Sequence, residues 1–473
     1  MERLSGLDAA CLHIETPATP MNVMAVVRLD GSEGGFERER FLAQLESRMG
    51  DLAPLRRRLV DSVLGLDRPH WVECRDVHLL KHVSVITAPA PGGERQFAEI
   101  VAGEACRPLD RSRPLWRLTI VEGLEQAQVG LVMVIHHAAV DGISGAALLA
   151  RVLDCSPDPH APPAVKPASA RRDGTREHEF KSPGTRPSRV AEAVTGVAAA
   201  AERFGHFASG PGRSLLDPTP FAPKTRLTGR VGADRIVAWC RTRRNALEFV
   251  RKEFGGTLND VVMAACTESL RHYLRRHDEL PDQPLVAAVP ISVRQPGEHD
   301  RFGNRLSALF MRLPVHIDDP VEQLTEIQHE SRRAKQVHHA VGGDTLGYLA
   351  ELTSDGILGA GVRIAEMLGV TRWLPPLANV TISNVPGPRE PLYAAGARVI
   401  SAHPHGPLLA GVRLNITVMS YADSVDFGLI GCRQSLPDAD EVARGFGNAI
   451  DALVKLALGE VRSQEVTDSS AGA

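Results

Sequence analysis

A stretch of proline, charged and small polar residues interrupts the chain at residues 155–188, and it limits the possible folds more than any other feature. No apolar period survives in this segment, so it cannot bury enough surface to fold alone. The chain of 473 residues is also too long for one compact core, since a domain usually takes about 100–200 residues. We therefore predict an N-terminal domain at 1–154, a flexible linker at 155–188, a C-terminal domain at 189–460 and a disordered tail at 461–473.

Strand-like and helical segments follow one another on both sides of this linker. Short apolar runs rich in β-branched residues predict strands, and apolar residues repeating every three or four positions predict helices. Segments of both kinds fold as sheets covered by helices, so we predict an α/β (α+β) protein of two lobes, each a mixed sheet flanked by helices. The predicted strands are 22–31, 128–135, 283–294, 305–315, 377–388, 413–423 and 424–432, and the predicted helices are 36–49, 93–107, 143–154 and 257–277.

Charge and cysteine content exclude several classes of protein. The net charge is −3, with 54 basic against 57 acidic residues, so no overall positive field attracts nucleic acid. The seven cysteines are scattered and contain no CxxC pair, which predicts free thiols in a reducing compartment and no zinc site. The first residues lack the apolar core of a signal peptide, and no run reaches ~18 apolar residues, the length that a membrane-spanning helix needs. A cytoplasmic protein is the expectation.

Two adjacent histidines stand at the end of an apolar run in "VMVIHHAAVDGIS", residues 132–144. The run before them is too short and too β-branched for a helix, so it predicts a buried strand. Successive strand side chains point to opposite faces, so His136 and His137 should not act together as metal ligands; one should face a cavity and the other should face packing. Asp141 and Gly142 predict a turn, after which a helix begins. The residues alone fit about equally well an alternative in which both histidines merely end the strand and have no functional role.

The segment "HHAAVDG" resembles the HHxxxDG signature shared by coenzyme A-dependent acyltransferases and peptide-synthetase condensation domains. Further segments resemble motifs of the bacterial wax ester synthase/diacylglycerol acyltransferase family, in the order that this family has them. The sequence departs from the family's usual residues at Asn22, where histidine is common, and at Cys11, where phenylalanine is usual. The resemblance runs from residue 4 to about residue 455 and implies two domains with the reaction centre in a tunnel between them. The matching segments are 4–23, 113–116, 258–266, 289–294, 303–304 and 382–388.

The resemblance implies a role for each residue of the HHxxxDG signature. His137 is the general base that removes the proton of an attacking hydroxyl, a task suited to a side chain whose reference pKa is near 6.5 and worth about 10²–10⁴ in rate. His136 packs or orients, Asp141 is structural, and Gly142 opens the approach to the base. No serine or cysteine stands in a matching nucleophile motif, so the acyl group should transfer directly.

Further site residues are expected in the C-terminal half of the chain. Asn384 is a candidate hydrogen-bond donor to the tetrahedral oxyanion, although an asparagine that only closes a turn is the alternative. Its neighbour Ser383 is predicted to contact substrate. Asn259 and Asp260 open a helix, where capping explains them. Arg294 is the predicted partner of Asp141, because a buried carboxylate is costly without one.

Other segments are candidates for contact with the substrates or with lipid. Pro114, Leu115 and Trp116 are predicted to line an acyl tunnel, with core packing as the alternative. The basic stretches at 275–280 and 332–335 are solvated helix faces or contacts for the phosphates of coenzyme A. The apolar faces of 190–204 and 357–373 are core or touch lipid.

The sequence thus predicts an O-acyltransferase with long-chain acyl-CoA as co-substrate, no cofactor and no metal. The acceptor is diacylglycerol or a fatty alcohol, reached by peripheral contact with the inner face of the plasma membrane or with a lipid droplet. One alternative is a condensation-type or polyketide-associated transferase that takes its acyl group from a carrier protein. Another is a catalytically silent lipid-binding protein, which the intact set of His137, Asp141 and Gly142 disfavours.

Overall fold

Two mixed β-sheets form the framework of the two lobes. The computed structural model describes residues 2–32, 35–61, 68–158, 222–292, 306–341 and 377–471. Within these ranges each of the two large sheets has six strands, and a small third sheet has three. The strands predicted from the sequence are present, and the four predicted helices are present within one or two residues of their expected ends. The prediction of a two-lobed mixed fold is confirmed.

The N-terminal lobe contains the strand that ends in the histidine pair. The strand β7 lies in the middle of the large sheet between β2 and β6, and it is antiparallel to both. The small sheet pairs β1, β4 and β3. In chain order the elements are β1 (Glu2–Arg3), α1 (Gly6–Ile14), β2 (Asn22–Asp30), α2 (Arg38–Arg48), α3 (Ala53–Arg56), β3 (Arg57–Val60), β4 (His70–Glu73), β5 (Val83–Thr87), α4 (Glu94–Cys106), β6 (Trp116–Glu122), β7 (Gln128–His136) and α5 (Gly142–Val152).

The C-terminal lobe is built on the second large sheet, whose strand order is β10-β9-β11-β14-β15-β8. The central strand β11 is parallel to both of its neighbours, and the remaining pairs are antiparallel. The elements of the C-terminal half of the chain are β8 (Arg235–Arg243), α6 (Arg244–Phe254), α7 (Leu258–Arg276), β9 (Leu285–Ser292), β10 (Leu306–Leu313), α8 (Pro320–Val341), β11 (Val380–Val385), β12 (Tyr393–Ala394), β13 (Ala397–His405), β14 (Leu414–Tyr421), β15 (Ser424–Cys432) and α9 (Ala439–Ala471).

Two strands of the C-terminal half, β12 and β13, complete the sheet of the N-terminal lobe. The strand β13 pairs with β2 in antiparallel register, and Tyr393 exchanges two backbone hydrogen bonds of 2.8 Å with Asp154. The predicted domain boundaries at 154 and 189 therefore separate the two halves of the chain, but they do not separate the two sheets. This crossover holds the lobes together through backbone hydrogen bonds, which local sequence patterns do not reveal.

Apolar side chains on the two faces of β2 and β7 pack in different places. Val26, Val132 and Val134 pack on α4 and on residues of β8 and β15. This cluster joins the two lobes. Side chains on the opposite face, including Val27, Leu131 and Ile135, belong to a second cluster with residues of α2 and α5. The C-terminal lobe has its own core around α7 and α9.

The C-terminal end of the chain differs from the prediction. The helix α9 continues to Ala471, where the sequence predicted a disordered tail from residue 461. The final residues are mostly polar and give no apolar period, so the sequence did not indicate this extension of the helix. Over the described residues, no helix is long and apolar enough to cross a membrane. All seven cysteines are described and none forms a disulfide, which confirms the prediction of free thiols.

Candidate active site

A cavity of about 490 Å³ lies between the two lobes. The N-terminal lobe contributes several residues of β2 and alternate residues of β7, whose neighbours Val132 and Val134 face the α4 side. On β7 these are Leu131, Met133 and Ile135, and His137 is the next in the same row. The row predicted by strand alternation therefore ends at the second histidine. Met21, Val23 and Val27 are among the remaining apolar residues of this wall.

The helix α5 lines the same cavity with one face. Its lining residues recur every three or four positions, with small side chains near the histidines and large ones farther along. A Cβ at Gly145 would meet nothing within 4 Å, so this position leaves open space in the cavity wall. The lining residues of α5 are Gly142, Gly145, Ala146, Leu148, Leu149 and Val152.

His136 and His137 have different surroundings. His136 is buried, with 1% of its surface exposed, and its backbone N–H donates to the carbonyl of Leu115 at 3.0 Å. His137 is partly exposed in the cavity wall, and its backbone N–H donates to the carbonyl of Met21 at 2.7 Å. The structure thus places one histidine in packing and the other at the cavity, as predicted from strand alternation.

Asp141 caps the helix that follows the histidines. Its Oδ1 accepts the backbone N–H of Ser144 at 2.8 Å and the Ser144 hydroxyl at 2.7 Å, and the Ser144 Oγ accepts the backbone N–H of Asp141 at 2.9 Å. This reciprocal capping fixes the first turn of α5 relative to the histidine strand. Its predicted partner Arg294 lies outside the described residues, so that pairing stays a prediction.

Gly142 packs close to the other lobe at the cavity. A Cβ at this position would fall 2.8 Å from Cγ2 of Val385 on β11, which is closer than such atoms approach. Glycine therefore lets α5 start here without displacing Val385. The prediction that Gly142 opens the approach to His137 stays a prediction.

Ser383, Asn384 and Asn259 lie in the cavity wall of the C-terminal lobe. The Nδ2 of Asn384 donates to Oδ1 of Asn259 at 3.1 Å. Asn384 is exposed in the wall, and its amide has a second hydrogen that Asn259 does not accept. This hydrogen can be donated to a ligand.

The prediction that capping explains Asn259 is wrong. The N-cap of α7 is Thr257, which shares reciprocal hydrogen bonds with Asp260, while Asn259 contacts Asn384 at the cavity. For Asp260 the capping role is confirmed.

The prediction that Pro114, Leu115 and Trp116 line the acyl tunnel is not supported, because none of them belongs to the cavity wall. Leu115 is buried in a cluster around α1. Trp116 donates its indole N–H to the carbonyl of Leu55 at 2.9 Å and stacks on His82 at 4.3 Å between ring centroids. A buried tryptophan needs a partner for its N–H, and here that partner lies inside the lobe, which fixes the side chain in the core.

Sequence reasoning missed several polar residues of the wall as individual positions, and Lys335, His405 and Thr417 are three of them. Lys335 of α8 is exposed at the cavity, within the basic stretch that was considered for phosphate contact. His405 and Thr417 line the C-terminal side. Burial lowers the pKa of His405 to about 4, so the ring is neutral near neutral pH. Their signal lies in the alternation of β13 and β14, which does not itself show which face meets a cavity.

The described residues contain no group of three or more histidine, cysteine, aspartate or glutamate side chains that could hold a metal ion. The cavity wall presents a partly exposed histidine, amides and hydroxyls around an apolar space.

Similar proteins share both the sequence and this architecture. Residues 4–262 match the wax ester synthase/diacylglycerol acyltransferase catalytic domain, and residues 302–454 match the C-terminal domain of the same family. A protein of Mycobacterium tuberculosis described as a diacylglycerol O-acyltransferase is 37% identical over 464 residues, which cover 96% of this chain and 90% of that protein.

Solved structures extend the comparison to the fold. The wax ester synthase/diacylglycerol acyltransferase from Marinobacter aquaeolei has a TM-score of 0.68 at 28% identity and covers 97% of this chain and 100% of that chain. The first condensation domain of the calcium-dependent antibiotic synthetase has a TM-score of 0.59 at 14% identity, with 96% of each chain covered. That second likeness concerns the fold alone.

Proposed function

The chain belongs to the wax ester synthase/diacylglycerol acyltransferase family, and on this premise we propose that it transfers a long-chain acyl group from acyl-CoA to diacylglycerol. A fatty alcohol is the second acceptor that fits the family. The observation that carries the proposal is the position of His137. It ends a row of apolar side chains in the wall of a cavity between the lobes, and the amides of Asn384 and Asn259 line the same cavity.

The cavity suits substrates that combine a long apolar chain with a small polar reacting group. Its volume falls in the range of about 300–1,000 Å³ usual for ligand sites, and its walls are mostly apolar. The N-terminal wall, with Leu131, Met133 and Leu149, fits an acyl chain. The C-terminal wall presents hydroxyls and amides, among them Ser383 and Thr417, which fit the oxygen atoms of an ester or alcohol.

His137 would act as general base in a direct transfer. The acceptor hydroxyl oxygen attacks the thioester carbonyl as its proton passes to the imidazole of His137. The C–O bond forms, the tetrahedral intermediate collapses with cleavage of the C–S bond, and the coenzyme A sulfur takes the proton back from His137. A donor to the intermediate's oxygen typically contributes about 10²–10³ in rate, and the Asn384 amide is the candidate for that role.

Lys335 suits an acyl carrier that bears phosphate, such as coenzyme A. Its side chain lies at the cavity, and it is the one lysine or arginine among the described residues that line it. An ammonium group suits the phosphates of coenzyme A. The alternative donor, an acyl carrier protein, also has a phosphopantetheine phosphate, so donor identity requires a direct comparison of the two.

We propose peripheral contact with the inner face of the plasma membrane or with a lipid droplet, because the proposed acceptors dissolve in lipid. Diacylglycerol partitions into bilayers, and the net charge of −3 provides little attraction to anionic lipid. Apolar contact should therefore dominate, with weak vesicle binding that survives raised salt. The segments expected to make this contact, 190–204 and 357–373, lie outside the described residues.

Two measurements test these proposals. Purified protein is given palmitoyl-CoA with diacylglycerol or with hexadecanol, and released thiol and ester product are followed; thiol release that neither acceptor stimulates would contradict the proposed reaction. Transfer from an acylated carrier protein but not from palmitoyl-CoA would establish the condensation-type alternative. Co-sedimentation with anionic and zwitterionic vesicles at low and high salt tests the surface contact, and absence of binding in every condition would overturn it.

A further inference from the structure

We propose that Glu15 is a positioning residue for His137, with its carboxylate holding the ring of His136 and the backbone segment that fixes His137. The inference rests on the proposed role of His137 as the base. Glu15 follows the end of α1, and its side chain is 14% exposed. It does not line the cavity, so it would act through its neighbours rather than on the substrate.

The first contact fixes the orientation of the His136 ring. The Nδ1 of His136 accepts the backbone N–H of Ala138 at 3.0 Å, so this nitrogen has no proton and the ring proton is on Nε2. Nε2 lies 3.4 Å from Oε1 of Glu15, at ion-pair distance, and makes no hydrogen bond within the described residues. The Glu15 carboxylate therefore faces this buried N–H and attracts it electrostatically.

The second contact reaches His137 through one residue. The same Oε1 of Glu15 accepts the backbone N–H of Met21 at 3.0 Å, and the carbonyl of Met21 accepts the backbone N–H of His137 at 2.7 Å. Met21 also lines the cavity. One carboxylate oxygen thus ties the side chain of the first histidine to the main chain of the second.

A third contact keeps this carboxylate ionised. The Nη2 of Arg111 donates to Oε2 of Glu15 at 2.6 Å and to the carbonyl of Leu12 at 3.3 Å. Burial raises the pKa of Glu15, but the contacts with His136, Arg111 and the Met21 N–H outweigh it and lower the pKa to about 2. The carboxylate is therefore a fixed negative charge at every pH at which the protein is used.

The geometry explains why displacement of Glu15 should affect the reaction and not only stability. Moving the Met21 segment moves the main chain of His137, and a misplacement of about 1 Å in a reacting group can cost about 10²-fold in rate. Met21 is only one of many residues of the apolar wall, so most of the contacts available to a substrate chain are unchanged. The expected signature is a fall in kcat with little change in KM.

The test compares Glu15→Gln, which keeps an oxygen for the Met21 N–H, with Glu15→Ala, which keeps neither contact. We expect kcat to fall by about 10-fold in the first and about 10²-fold in the second, with KM for palmitoyl-CoA within about two-fold of wild type. Arg111→Met should lower kcat in the wild-type background and add little to Glu15→Ala, because both act through one network. The control is Glu73→Gln, which removes an exposed carboxylate paired with Arg56 outside the cavity and should leave kcat unchanged.

Amide hydrogen exchange gives a readout that does not depend on turnover. Peptides covering 136–140 should exchange faster in both Glu15 variants than in wild type or Glu73→Gln, because the hydrogen bond from His137 to Met21 loosens. Lower melting temperatures with wild-type kcat and unchanged exchange would reduce Glu15 to a structural residue and overturn the proposal. A wild-type protein with no transferase activity would refute the proposed function, while unchanged exchange in the variants would still refute the positioning role.

Discussion

A Cβ on Gly142 would fall 2.8 Å from Cγ2 of Val385, so the first turn of α5 and the end of β11 approach closely at the cavity between the lobes. Both residues line that cavity. This close approach depends on a residue that has no side chain.

Replacing Gly142 by alanine should open this contact. The new Cβ would lie 2.8 Å from Cγ2 of Val385, so α5 or the Val385 side chain must shift, and such overpacking typically costs about 1–3 kcal/mol. We expect a lower free energy of unfolding and lower turnover, with partial recovery of both in the double variant that also has Val385→Ala. Gly145→Ala is the matched control for stability, because its Cβ would enter open space. Recovery in neither quantity would show that the contact does not set the spacing.

The capping role of Asp141 predicts a difference between two substitutions. Asp141→Ala removes the acceptor of the Ser144 N–H and should lower the free energy of unfolding by about 0.5–2 kcal/mol. Asp141→Asn keeps an oxygen at that position and should cost less. Urea denaturation of the two variants measures this difference. If the asparagine variant loses as much as the alanine variant, the negative charge matters more than the cap, as the predicted pairing with Arg294 requires.

Two buried histidines on β13 should make the protein less stable in mild acid. Burial lowers the pKa of His403 to about 3 and that of His405 to about 4. In the unfolded chain both take up protons near pH 6.5, so the stability present above that pH is lost as the pH falls below it. Each contributes up to about 1.4 kcal/mol per pH unit.

The free energy of unfolding between pH 7.5 and 5 measures this effect. The variant His403→Phe should show a shallower decline than wild type, whereas His316→Gln, which changes an exposed histidine, should follow the wild-type slope. Equal slopes for His403→Phe and wild type would mean that this histidine is not buried in its neutral form.

Local patterns were sufficient to predict the strand–turn–helix unit of the site. The alternation of β7 puts Leu131, Met133, Ile135 and His137 on one face, and the period of α5 puts its small residues on the facing side. These features depend on residues only a few positions apart, so the local sequence is enough to predict them.

Long-range pairing is what the sequence did not reveal. The strand β13 reads like any other strand, and nothing in it shows that it pairs with β2 of the other lobe. The core position of Trp116 and the cavity contact of Asn259 could not be predicted for the same reason. Their partners Leu55 and Asn384 are distant in the chain. Glu15 escaped notice because its contact with His136 appears only after folding.

The most direct test of the account measures ester formation by wild type and His137→Ala in parallel. Palmitoyl-CoA and diacylglycerol are supplied, triacylglycerol and released thiol are quantified in the same samples, and melting temperatures confirm that both proteins are folded. We predict that the turnover of His137→Ala falls by about 10²–10⁴-fold while its melting temperature stays at the wild-type value. His136→Ala should mainly lose stability or yield. A folded His137→Ala protein with wild-type turnover, or a folded and inactive His136→Ala protein beside an active His137→Ala protein, would contradict this prediction.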